Sequence, residues 1–581
     1  MGKLFRAMLL AICAAAFWPG HALADGGVCP RPAAGSEVAP PPDLYSENGV
    51  LKLAFTYYTS VDDYNRTLFC FDTLEGLESP TLHVNPGDKI EITLTNMVPE
   101  VPGAPSEAVS GDGTTCGDPV MTLTSVNMHF HGTNTPPTCR SDEVIHTLVN
   151  SGQTFTYVIK IPKDEPPGLY WYHPHVHGLS SAAVEGGASG LIEVEGIANL
   201  QPAVAGLPER YLVIRDQAVA EVAPPPLGTR APPLPSWDVS LNYVPVSYPV
   251  YKPSIIKMQA GTQEFWRVVN ASANTIIDLQ VSYDGVAQPL QIVAFDGVVA
   301  GSQDGSRQGT IVTQHDILLP PAARAEFIIV APSAGVKVAK LATLAIDGGP
   351  AADSNPARPL ARIVATSAPD NLPKAAARTG PPNRQRFESL AAAKVTAKRK
   401  LYFSEYFVES RQPPNNRKQK DSEHVNFFIT VVGQREKLFD PNNPPAITTT
   451  RGAVEEWTIQ NRTQEVHEFH IHQIHFLVQA INGVPIPTDQ QQFYDTFQVP
   501  YWSGVGPYPS IKVKMDFRGP TVGDFVYHCH ILEHEDAGMM AIIRVLPRGP
   551  ARSVRAGEGG AKQASARSTG TKTAPALLAA R

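Results

Sequence analysis

Three stretches of this chain repeat one pattern. Gly87 to Asn96, Gly261 to Asn270 and Gly452 to Asn461 each run from a glycine to an asparagine nine positions on, across an alternating apolar run. Alternation of that kind reads as a half-buried strand, and three copies of one strand imply three copies of one domain. A second repeat relates only the outer copies: Gly168-Leu-Tyr-Trp-Tyr-His173-Pro-His175 aligns with Gly523-Asp-Phe-Val-Tyr-His528-Cys529-His530. The 581 residues accommodate three domains of roughly 150. With 54 Pro, 45 Gly and few helix-period runs, the composition favours all-β sandwiches with long loops. The expected division is 25–200, 201–370 and 401–548. A linker rich in Ala, Lys, Arg and Pro fills 371–400, and a tail over 549–581 has too little apolar surface to offset its ordering entropy.

The last repeat carries the chemistry. Cys529 lies between His528 and His530, with His534 five and Met539 ten residues after it. Thiolate, imidazole and thioether form the soft, mixed ligand set of a blue-copper electron-transfer site. On a strand, neighbours of a residue point to the opposite face, so His528 and His530 are set to hold other metals behind Cys529. Partners for them exist in His129-Phe-His131, His173-Pro-His175 and His470-Ile-His472. Residues i and i+2 of an extended chain share a face. One such pair alone is most simply a polar strand face; four pairs with a Cys and a Met at these offsets are not. His467 completes a four-ligand set with Cys529, His534 and Met539.

These four segments, in this order, resemble the copper-binding segments of the multicopper oxidase (laccase-like) family. The resemblance implies three cupredoxin-like Greek-key sandwiches and four copper ions. It assigns His467, Cys529, His534 and Met539 to a type 1 copper, and His129 and His470 to a type 2 copper. His131, His173 and His530 are assigned to one type 3 copper, and His175, His472 and His528 to the other. Pro174 stands where the third domain has Cys529, so the first domain builds no type 1 site there. The middle domain has one histidine, His315, and no cysteine, so it should carry no copper. A cluster shared by the first and third domains follows. The implied reaction is one-electron oxidation of a phenolic or similar small reductant, coupled to four-electron reduction of O2 to water. Electrons would enter near His534 or His467 and pass from Cys529 along the backbone to His528 and His530.

Dioxygen reduction consumes protons, so carboxylates near the cluster are expected. Glu535 matches a family acid directly after His534. Asp142, beside Glu143, lies in the loop after His131, where the family often has an acid at a different offset. Glu465 is placed to line the substrate edge or to be a solvated loop carboxylate. Met540 competes with Met539, but the ten-residue offset favours Met539. His177 and His475 read as supporting or structural residues.

The N-terminus reads as a secretory signal: Lys3 and Arg6, a short apolar stretch from Leu9 to Phe17, and an Ala22-Leu-Ala24 cleavage site that leaves a mature start near Asp25. No run suits a membrane helix. Export leaves Cys29, Cys70, Cys116 and Cys139 as an even set in an oxidising compartment. The pairings Cys116–Cys139 and Cys29–Cys70 are favoured among three connectivities. A net charge of −7 gives no reason to expect nucleic acid. Asn65, Asn270 and Asn461 begin Asn-x-Ser/Thr triplets of a kind common by chance. The partners implied are a small reductant and O2, with the oligomeric state open. Two rival functions stand beside this one: a cuprous oxidase, disfavoured by nine scattered Met with no Met-rich segment, and a non-enzymatic copper or partner-binding protein, disfavoured by the complete ligand set.

Overall fold

The computed structural model describes residues 29–548 apart from 104–105, 109–115, 221–231, 304–308, 369–370, 376–385, 388 and 410–422. The signal segment and the tail lie outside the described residues. Three β-sandwiches follow one another along the chain. The first pairs a four-stranded sheet with a five-stranded one, the middle an eight-stranded with a six-stranded, and the third a seven-stranded with a five-stranded. Each encloses its own apolar core, around Phe71, Ile92 and Tyr172 in the first, Trp266, Ile292 and Phe327 in the middle, and Trp457, Phe469 and Val513 in the third.

The threefold repeat sets the centre of one sheet in each sandwich. Strands Lys89–Asn96, Gln263–Asn270 and Val454–Asn461 each lie parallel to an earlier strand and antiparallel to a later one. The glycine before each strand has positive φ (+95°, +70° and +103°), a backbone conformation that glycine adopts without a Cβ penalty. The closing asparagine is fully buried in all three. Its side chain donates to two backbone carbonyls and accepts one backbone N–H each time: Asn96 with Thr124, Val149 and Val98; Asn270 with Thr275, Leu319 and Ser272; Asn461 with Glu465, Val499 and Thr463. Left unpaired, such buried groups cost about 1–3 kcal/mol each. The glycosylation triplets at Asn270 and Asn461 are therefore spent inside the protein.

The second repeat is equally literal. Strand Gly168–His173 pairs with His129–His131, placing His173 opposite His129. Strand Gly523–Cys529 pairs with His467–Ile471, placing His528 opposite His470. A short helix follows each, Ser180–Glu185 and Leu532–Asp536. The carboxylate of Asp536 accepts the backbone N–H groups of Gly178 and Ser181, tying the two helices together. The linker is partly anchored: Ala375, Phe387 and Leu390 are buried, the latter two against Val298, Val454, Leu477 and Phe493. Disulfides join Cys29 to Cys70 and Cys116 to Cys139.

Candidate metal centres

Two centres emerge, and they differ in which imidazole nitrogen they present. In the first, His467 Nδ1 and His534 Nδ1 stand 3.1 Å apart, with Cys529 Sγ at 3.6 and 3.8 Å from them. Nε2 of His467 meets the Thr463 hydroxyl at 2.9 Å, which leaves Nδ1 for a ligand. The Glu468 backbone N–H donates to the sulfur at 3.3 Å. Cys529 sits on the core face of its strand, in the same apolar cluster as Met539. Met540 turns to a different cluster with Val144, Phe439 and Val526. The structure thereby separates the two methionines, and Met539 is the one beside the sulfur's core. Burial pushes the Cys529 thiol well up and holds His534 down at about 3. A thiol and neutral rings are the resting forms, with nitrogen lone pairs free for a cation that would draw off the thiol proton.

His467 is wholly buried, whereas His534 keeps 8 % of its surface exposed, so the accessible edge of this centre is His534. Phe427 stacks on it at 4.1 Å. Glu465 Oε1 lies 3.6 Å from its Nε2. Burial first, then a hydrogen bond to Glu405, pushes Glu465 up to about 9, and the charges of Asp353 and Glu533 add to this.

The second centre gathers the eight remaining histidines between the first and third sandwiches. Nε2 atoms of His175, His472 and His528 form a triangle with sides of 3.1, 3.2 and 3.3 Å. Around it stand His129, His131, His173, His470 and His530. His131 and His470 stack at 4.0 Å, His129 and His472 at 3.8 Å, and His530 lies 5.0 Å from His131 and 5.6 Å from His173 between ring centres. Burial first, and the neighbouring imidazoles second, hold His129, His131, His470, His472 and His530 well below the usual range.

The outward nitrogens are mostly engaged. His129 Nδ1 meets Asp142 at 2.9 Å, His173 Nδ1 the Pro174 carbonyl at 2.8 Å, His470 Nδ1 the Asp495 carbonyl at 2.8 Å, and His528 Nδ1 the Cys529 carbonyl at 2.9 Å. Among the described residues, the inward Nε2 atoms of His129, His131, His173, His470 and His530 have no hydrogen-bond partner. Five orphaned, buried ring nitrogens at about 1–3 kcal/mol each are a poor arrangement for a metal-free core. They are the arrangement a soft or borderline cation requires, with the far nitrogens of His129, His173 and His470 fixing ring orientation. Fully buried imidazoles of this kind suit copper.

Of the predicted carboxylates, Asp142 accepts from His129, from the Phe130 backbone N–H at 3.0 Å and from Gln473 at 2.6 Å. Its unusual offset from His131 is spanned by the loop. Glu143 instead caps the next turn, at Ile145, His146 and Thr147. Glu535 lies 2.9 Å from His528 Nδ1 and 3.6 Å from His175 Nδ1. Burial acts against its charge, but these imidazoles outweigh burial and lower its carboxyl. His475 donates toward the Asp296 carbonyl, and His177 packs edge-on against Phe439. Sequence reading missed Trp171, which stacks on His173 at 4.2 Å, and it missed Arg324, Asp296 and Asp495, a buried charged group behind His131 and His470. Nothing local marks the last three; the two aspartates stand in ordinary loop sequence.

Comparison with known proteins agrees with this picture. Residues 121–198 and 409–549 match two family models, each described as multicopper oxidase. A multicopper oxidase of Staphylococcus haemolyticus is 24 % identical over 487 residues, covering 81 % of this chain and 82 % of that one. Among solved structures, a multicopper oxidase from Campylobacter jejuni, described as a metallo-oxidase, superposes with TM-score 0.61 at 21 % identity over 89 % of this chain and 96 % of that one. A laccase-like multicopper oxidase from Ochrobactrum sp., described as active towards lignin model compounds, gives TM-score 0.59 at 20 % identity over 88 % and 100 %.

Proposed function

From the premise that the chain belongs to the multicopper oxidase family and is a copper-dependent oxidoreductase using O2, we propose that it oxidises phenolic or similar small reductants one electron at a time and reduces O2 to water with four. The reading uses four copper ions. His467, Cys529, His534 and Met539 would hold a type 1 copper; His129 and His470 a type 2; His131, His173 and His530 one type 3; His175, His472 and His528 the other. Bound copper would supply the one-electron redox chemistry and the site of O2 reduction. The observation that carries the proposal is the set of inward, partnerless Nε2 atoms beside the Nε2 triangle, one peptide unit away from a buried thiol.

The chain's own part is geometric and electrostatic. The run His528-Cys529-His530 joins the two centres covalently, its side chains alternating between the core of the third sandwich and the cluster. The deep burial of all eight cluster histidines excludes bulk water. Asp142 and Glu535 stand against cluster imidazoles, positioned to relay protons that O2 reduction consumes. His534 offers a shallow edge on which an aromatic donor can lie close to a ligand ring, so selectivity should be broad. Two disulfides and the signal-like N-terminus support work outside the cytoplasm, in periplasm or medium.

A second reading, oxidation of Cu(I), is favoured by one observation: Glu465, with Glu405, Asp353 and Glu533 around it, rims the same His534 edge. Steady-state rates with a phenol panel and with Cu(I), on one copper-loaded preparation, separate the two. Phenols are expected to be faster. If Cu(I) turnover exceeds the best phenol, or phenols react only with added copper, the cuprous reading replaces the first.

A further inference from the structure

Arg324 opens the strand Arg324–Val330 of the middle sandwich, the region without a cysteine or a histidine motif. Its guanidinium is wholly buried and grips Asp495 in a two-point fork, Nη1 to Oδ1 at 2.8 Å and Nη2 to Oδ2 at 2.6 Å. The same Nη1 lies 3.3 Å from Nδ1 of His131, and Nε donates to the Leu169 carbonyl at 3.2 Å. One side chain of the middle sandwich thus touches the first sandwich and the third at once. The Asp495 carbonyl receives His470 Nδ1. Asp296 binds the backbone N–H groups of Arg324, Asp495 and Thr496, and its carbonyl receives His475. Gly132 leaves the room: a Cβ there would sit 2.4 Å from Arg324 Nη2 and 2.6 Å from Asp495 Oδ2.

What the group holds is a pair of rings. His131 from the first sandwich and His470 from the third stack at 4.0 Å with an 18° tilt; the Asp495 carbonyl accepts from His470 Nδ1, and the Asp495 carboxylate that Arg324 grips lies 3.8 Å from His131 Nδ1. Burying two carboxylates and a guanidinium is a weak route to stability, since apolar replacements of similar shape often do as well. It is a strong route to fixed geometry, because a planar fork on a carboxylate sets direction as well as distance.

We propose that Arg324 is a positioning residue of the histidine cluster: by clamping Asp495 it sets the spacing and tilt of His131 and His470 across the interface of the flanking sandwiches. The proposal rests on the copper reading above. It gives the copper-free middle sandwich a direct part in the oxygen-reducing site.

The test uses R324K, R324M, D495N and the R324M/D495N double variant of the full chain. In copper-loaded protein, R324K and D495N should keep the blue absorption of the Cys529 centre. O2-dependent turnover should fall by about 10–100-fold, the usual effect of losing a group that orients metal ligands. The paramagnetic resonance signal of the copper at His129 and His470 should change shape. Lysine keeps the charge but cannot form the fork, so R324K behaving as wild type in turnover and resonance signal would overturn the proposal. So would equal loss of the blue centre and the cluster, the mark of a general structural role. In metal-stripped protein, the double variant should melt no lower than the worse single one; additive losses would deny the clamp. This last arm does not depend on copper, so a wild type that took up no copper would defeat the copper reading alone.

Discussion

The thiol centre and the histidine cluster are built in opposite ways. The thiol centre belongs to one sandwich: His467, Cys529, His534 and Met539 lie within the third domain, and the first three are already drawn together by the chain's own packing. The cluster takes four histidines from each of two sandwiches, and its supports come from all three, the middle one through the Arg324–Asp495 fork. A centre made by one sandwich is fixed by local strand register. A centre made at an interface is only as well defined as the docking of the domains around it. That difference teaches where each can be broken without the other.

The sharpest break is at the bridge between them. Cys529→Ser should abolish blue absorption and all turnover while copper remains on the histidine cluster, whose imidazoles are untouched; absorption spectra with metal analysis check this. A variant that stayed blue would remove Cys529 from the role of thiolate. His470→Ala attacks the other side. It should stop O2 reduction and lower copper content while the blue colour survives, and loss of colour with a full cluster would reverse the assignment. Asp142→Asn keeps the shape but replaces the carboxyl group that meets His129 Nδ1 and so disturbs the orientation of that ring. Turnover should fall by about 10–100-fold with the blue band unchanged, measured by oxygen uptake.

The smallest effect concerns a buried histidine of the first sandwich, away from both centres. His83 is buried between Asp43, at 3.1 Å, and Glu195, at 3.0 Å, with Glu193 at 3.5 Å and Tyr45 stacked upon it. Burial works against its charged form, but the hydrogen bonds to Asp43 and Glu195 and the charge of Glu193 outweigh it and raise its pKa to about 9. A raised pKa stabilises the folded chain fully below the unfolded value of about 6.5, and that contribution is lost as pH rises through about 9. This contribution is at most about 3–4 kcal/mol. Melting curves of His83→Gln and wild type should therefore be farthest apart near pH 6 and converge by about pH 10. A gap that is independent of pH would show that His83 is not charged.

Much of this was legible beforehand because it is periodic. The Gly-to-Asn repeat reads as three strands since a positive-φ turn and a buried capping amide recur at one spacing wherever that strand is built. The His-x-His pairs read as ligands since i and i+2 share a face. Asp142 was legible only as a weak match because a loop, not a strand, carries it to His129, and loop length does not fix where a side chain ends. The ten-residue offset favours Met539 over Met540, and the structure sets Met539 in the apolar cluster of Cys529 while sending Met540 to another.

Spacing along the chain was enough to mark three sandwiches, a Cys–Met set beside eight histidines, and the domain that lacks them, because these are short-range patterns on extended chain. Docking and packing alone show that His534 is the less buried of the two thiol-centre imidazoles, that Glu465 rims it, and that Arg324 of the middle sandwich reaches Asp495 and His131. The reason is physical. Arg324 lies 171 residues from Asp495 and 193 from His131 along the chain. Contacts of that range are set by how finished domains dock, and docking leaves no period in the sequence.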